Sequence, residues 1–109
     1  MPVADASVVV KWFVEEPDSP AARALLPLHH HGESVLVAPN LLIYEVSNAL
    51  LRNTAFSAAA VQQCIRRLYD LELELIAPTA EVVLATVALA ARHRLTFYDA
   101  LYVQVAMHL

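Results

Sequence analysis

SVLVAPNLLIYEVSNALLR, residues 34–52, holds the transition on which the fold turns. Residues 34–38 are valine-rich and apolar, which predicts a strand. Pro39 is expected to open the next element. From 41 to 52 the apolar positions Leu41, Leu42, Tyr44, Val46, Ala49 and Leu50 recur at helical spacing. The run LELELI at 71–76 alternates with period two, which predicts a further strand. Between them, Ser57 can cap a helix to about residue 71, with Val61, Cys64, Ile65 and Leu68 on one face. Thr79 precedes another helix to about residue 93, and 98–109 forms a last one.

Toward the N-terminus, residues 2–5 suit a short buried strand. Val8, Val9 and Val10 can extend it on propensity, or Ser7 can cap a helix running through 11–14; periodicity leaves both open. Residues 15–18 are a polar turn. Residues 20–26 suit a helix with Pro20 in its first turn, which Pro27 ends or kinks, and 29–32 reads as a loop. Strands alternating with helices predict an α/β fold: a parallel sheet covered by helices.

The 109 residues fit a single domain, 1–109, without repeat or linker. At 59% hydrophobic and 17% charged the composition is that of a core-rich globular chain, apolar enough to suit a buried parallel sheet or a partner surface. No run reaches the roughly 20 apolar residues of a membrane span, and no signal peptide is evident. Cys64 is the only cysteine, so no internal disulfide forms and a reducing, cytoplasmic compartment fits. One glycine, Gly32, excludes a glycine-rich phosphate loop. A net charge of −4 excludes broad nonspecific nucleic-acid binding, although a carboxylate site that recruits cations remains compatible with a nuclease.

Three isolated acids stand in apolar surroundings: Asp5 in MPVADASVVV, Glu45 in LLIYEVSNALL and Asp99 in LTFYDALYVQVA. Carboxylates in such settings are costly to bury unless paired, hydrogen-bonded or bound to a cation. Three together point to a shared site for a hard divalent metal and to metal-assisted hydrolysis. Asn48 is three residues after Glu45, and Arg52 seven after it, so both share its helix face. Asp99 falls in the first turn of its helix, where the dipole favours a carboxylate. Asp5 ends a strand, the edge at which α/β sheets place their sites. The spacing along the chain does not itself bring the three acids together.

The segments DASVVVKWF (5–13), PNLLIYEVSNALLR (39–52) and LTFYDALYVQVA (95–106) resemble the three leading motifs of PIN-domain proteins, closest to VapC-type toxins. The similarity covers almost the whole chain in the right order. It implies a three-layer α/β/α fold around a central parallel sheet, and Mg²⁺- or Mn²⁺-dependent RNA cleavage. It also implies a cognate VapB-like antitoxin and a homodimer. By motif position Asp5, Glu45 and Asp99 match the metal-site acids, and Ser7 and Asn48 match accompanying polar residues. Arg52 and Lys11 are weaker candidates for phosphate contact. The family pattern favours ending the first strand near Asp5. Family members usually continue into a further strand and a fourth acid, so the resemblance implies a domain truncated at its C-terminus, with the Asp5 strand as an open edge. From that follows an alternative: a catalytically impaired interaction module that keeps the partner surface. A nuclease acting on DNA is a third, since no residue here distinguishes the two sugars. The bland expectations are a solvated loop for His29–His31 and a solvated face for Arg66 and Arg67. Trp12, Phe13, Tyr44, Phe97, Tyr98 and Tyr102 are expected as core or interface aromatics. Tyr44 and Tyr98 draw attention because each precedes a site acid.

Overall fold

The computed structural model describes residues 3–32 and 35–108. The expected strand residue Pro2, Ser34 in the next strand and the last helical residue Leu109 lie outside the described residues. The element order is α1 (Ala6–Phe13), α2 (Ser19–Arg23), α3 (Leu25–His30), β1 (Val37–Pro39), α4 (Leu41–Leu51), α5 (Ala58–Asp70), β2 (Glu74–Ile76), α6 (Ala80–His93) and α7 (Phe97–His108). The chain is an α/β protein, mostly helical around a small parallel sheet.

Helices α1, α5, α6 and α7 start where a side-chain oxygen takes an orphan N–H group, whereas α2, α3 and α4 begin without such a cap. Ser57 accepts from Ala60 N–H at 3.1 Å, and Thr79 accepts from Val82 N–H at 3.3 Å. Thr96 accepts from Asp99 N–H at 3.1 Å. At α1 the cap is Asp5 rather than Ser7: Asp5 Oδ1 accepts from Val8 N–H at 3.0 Å. That cap draws the β-branched run at 8–10 into a helix instead of a strand, since propensity alone is a weak force. Pro27 does not end its helix. The break falls at Ala24, which ends α2 and caps α3. Pro27 then sits in the first turn of α3, where its missing N–H is no loss. His29 and His30 belong to α3 rather than to a loop, and His31 with Gly32 forms the turn.

The two strands pair in parallel, with Val37 opposite Glu74, Ala38 opposite Leu75 and Pro39 opposite Ile76. On the far side of β1, Val3 forms a single parallel bridge to Val37, and Ala4 N–H donates to Val37 O at 2.9 Å. So β1 is central. Pro39 belongs to β1 instead of opening α4, and the ladder shows why it fits. Leu36 O accepts from Glu74 N–H and Asn40 N–H donates to Ile76 O, so even-numbered residues of this stretch serve β2. Odd-numbered positions face the Val3 side, where the chain has already turned into α1. The N–H that proline lacks has no partner to lose.

Alternation along β1 divides the packing. Leu36 and Ala38 join Val9, Trp12, Leu42 and Val46 in a core shared with α5 residues Val61 and Leu68. Val37 points to the opposite face, where α7 packs on β1 and buries Ala100, Leu101 and Val105. Helices thus cover both faces, as the three-layer expectation requires. Trp12 Nε1–H donates to Ala22 O at 2.9 Å and ties α1 to α2. Cys64 is a free, buried thiol in the core, as expected.

Candidate active site

The end of β1 at Pro39 and the turn of the chain at Asp5 place two helix starts at the C-terminal edge of the sheet. Asp5 stands at the head of α1 and Glu45 in the second turn of α4. Asp99, in the first turn of α7, reaches the same edge. All three line one cavity of about 530 Å³, together with Ala6, Ser7, Leu95, Tyr102 and Val103. Asp5 and Asp99 are exposed and Glu45 is partly buried.

Two of the acids are held by neighbours. Ser7 Oγ–H donates to Asp5 Oδ1 at 2.6 Å, the same oxygen that caps α1. Tyr102 O–H donates to Glu45 Oε1 at 2.6 Å. Burial raises the Tyr102 phenol far above its ordinary pKa of 10.0. The hydrogen bond and charge of Glu45, then the charges of Asp5 and Asp99, push it the same way. Its proton is therefore retained, and Tyr102 acts as a donor.

The other expected site residues stand apart from this cavity's lining. Asn48 and Arg52 are exposed farther along α4. A helical interval of three or seven puts them on Glu45's face but carries them up the axis, away from the sheet edge. Lys11 Nζ lies 2.6 Å from Asp18 Oδ2. Tyr44 and Tyr98 are 69% and 56% exposed and do not line the cavity. The aromatic that does is Tyr102, expected only as core or interface. Its signal was its position three residues after Asp99, the spacing that puts two side chains on one helix face. His30 and His31 are exposed, whereas His29 bonds to backbone through both ring nitrogens.

No Lys or Arg is among the described residues that line the cavity. Three negative charges there repel a phosphodiester until a cation enters. The donors are all carboxylate oxygens, the chemistry that Mg²⁺ and Mn²⁺ prefer. Among the described residues no three His, Cys, Asp or Glu side chains close around a single point.

A parallel α/β sheet with convergent acids beyond its C-terminal edge is an architecture of hydrolytic sites. The family model of the PIN domain matches residues 3–109. The chain belongs to the PIN domain family, whose fold is a nuclease-type fold and whose members are generally metal-dependent nucleases. Comparison with curated proteins and with solved structures returned no match. Among the described residues no helix is long and apolar enough to cross a membrane.

Proposed function

We propose that the chain is a Mg²⁺- or Mn²⁺-dependent endoribonuclease, acting as one domain over residues 1–109 and as the VapC-type toxin of a toxin–antitoxin pair. One observation carries this: Asp5, Glu45 and Asp99, far apart in sequence, line a common cavity in a chain of the PIN domain family. Asp5 and Asp99 would hold the ion, and Glu45 would either ligate it or orient the attacking water. When bound, the ion supplies Lewis-acid polarisation of the phosphate and lowers the pKa of water near it. The protein's own part is positional. Ser7 fixes Asp5 through Oδ1, and Tyr102 fixes Glu45 through Oε1, so both carboxylates have little freedom left to lose. Asn48, Arg52 and Lys11 serve, on this view, outside the cavity, along the path of the RNA.

The partners proposed are RNA, a VapB-like antitoxin and a second copy of the chain, in the cytoplasm. Exposed apolar side chains on α6 and α7 support a protein partner: Leu84 is 71% exposed, Val87 53% and Met107 67%. The same surface favours the second reading, an interaction module with impaired catalysis.

The deciding experiment is cleavage of matched RNA and DNA oligonucleotides with Mg²⁺, Mn²⁺ or EDTA, using wild type, Asp5→Asn, Glu45→Gln and Asp99→Asn. Metal-dependent RNA cleavage, reduced about 100-fold or more by each substitution, is expected from the loss of a charge that serves the reacting centre. Cleavage indifferent to all three substitutions would refute the acid site. A folded wild type that binds metal and never cuts would favour the interaction module.

A further inference from the structure

We propose that Tyr102 is a positioning residue that tunes the acid site toward small octahedral cations and against Ca²⁺, an inference that rests on the metal-dependent reading above. Tyr102 and Glu45 come from α7 and α4, 57 residues apart, and meet at 2.6 Å through the phenol O–H and Glu45 Oε1. That length is typical of a hydrogen bond to an ionised carboxylate. The tyrosine ring packs against the core, which backs the hydroxyl. Oε1 is thereby anchored to α7, and Oε2 is the oxygen left to meet an ion. Asp5 repeats the pattern. Its Oδ1 accepts from Ser7 Oγ at 2.6 Å and from Val8 N–H at 3.0 Å, which leaves Oδ2. Two of the three acids therefore offer one oxygen each.

Cation chemistry turns this into selectivity. Mg²⁺ demands six ligands near ideal octahedral positions, whereas Ca²⁺ takes six to eight and readily chelates a carboxylate through both oxygens. A glutamate whose Oε1 is tethered is a good single-oxygen donor and a poor chelate. Removing the tether lets Glu45 swing and chelate, a gain for Ca²⁺ and not for Mg²⁺.

The test is isothermal titration with MgCl₂, MnCl₂ and CaCl₂ on wild type, Tyr102→Phe, Glu45→Gln and the double variant, with a melt to check folding. Tyr102→Phe should shift the Ca²⁺:Mg²⁺ affinity ratio toward Ca²⁺ by about tenfold, the size by which hydrogen-bond partners of ligands move metal affinity. The double variant should show the ratio of Glu45→Gln alone. Should Tyr102→Phe fail to fold, Tyr102→Leu keeps an apolar side chain against the core, also removes the hydroxyl that holds Glu45, and should move the ratio the same way. An unchanged ratio in the folded variants, with Mg²⁺ still weakened by Glu45→Gln, overturns the role of Tyr102 and leaves the acid site standing. A wild type that binds none of the three cations removes the site itself, and the tuning role with it.

Discussion

His29→Ala should loosen the sheet although the residue is far from the acids. Leu36 N–H donates to His29 Nδ1 at 3.0 Å, and His29 Nε2 lies 2.6 Å from Leu71 O. A neutral imidazole has one acceptor and one donor nitrogen. Because Leu36 supplies a proton to Nδ1, Nε2 carries the ring's own proton and donates it to Leu71. The two backbone groups lead into β1 and β2, so a single ring staples the approaches to both paired strands. Leu36 is 1% exposed, which makes its N–H hard for water to reach once the ring is gone. A lost hydrogen bond costs about 1 kcal/mol, and an orphaned buried group about 1–3 kcal/mol, so the pair together should cost at least about 2 kcal/mol. For a domain of this size that lowers Tm by roughly 8–16 °C. Urea unfolding followed by Trp12, the only tryptophan, reads it directly. His29→Gln, whose amide also has a donor and an acceptor, should recover part of the loss. A His29→Ala cost below about 0.5 kcal/mol, the size of an ordinary surface substitution, would refute the staple.

Ser57→Ala removes the cap of α5 and should cost about 1 kcal/mol in the same urea assay. Thr86→Val should do the opposite of what its full burial suggests and leave stability unchanged or slightly higher. Among the described residues its hydroxyl bonds back to Val82 O at 2.7 Å within its own helix, a contact that mildly opposes helix geometry. The Lys11–Asp18 pair should leave a pH signature. The hydrogen bond from Lys11 holds the Asp18 carboxyl below its ordinary 3.8, so its contribution is complete above that value and fades as pH falls through the depressed one. The bond to Asp18 raises the Lys11 ammonium above 10.5, so its contribution fades only as pH rises beyond that. The difference in Tm between wild type and Asp18→Asn should therefore be flat across neutral pH and shrink at both extremes; a difference independent of pH would contradict it.

Helices α4 to α7 were legible because their signals are local, whereas α1 competes with a β-branched run and Pro27 reads as an end where α3 continues. Ser57 and Thr79 stand just before their apolar faces; Ser57 caps α5 as expected, and Thr79 caps the helix it is expected to precede. Strand limits were less legible because pairing is set by distant residues. LELELI predicts a strand from 71, yet Leu71 caps the end of α5 and Glu72 takes a left-handed backbone (φ 52°), so β2 begins only at Glu74. The first strand shrinks to the Val3 bridge because Asp5 spends its side chain on a helix cap. At the site, the three acids were legible as residue types and by their motifs, but nothing in their spacing along the chain could bring them to one cavity. Tyr102 was missed because aromatic residues at helical spacing usually serve packing; only the fold reveals that its hydroxyl reaches α4.

Asp5 both starts α1 and lines the acid cavity, so the residue answers to two masters. Asparagine caps helices as well as aspartate does but carries no charge. One nucleotide change separates their codons. On the proposed reading, a copy of this protein that folds but does not cut thus lies a single mutational step away, whereas alanine at the same place would remove the α1 cap as well.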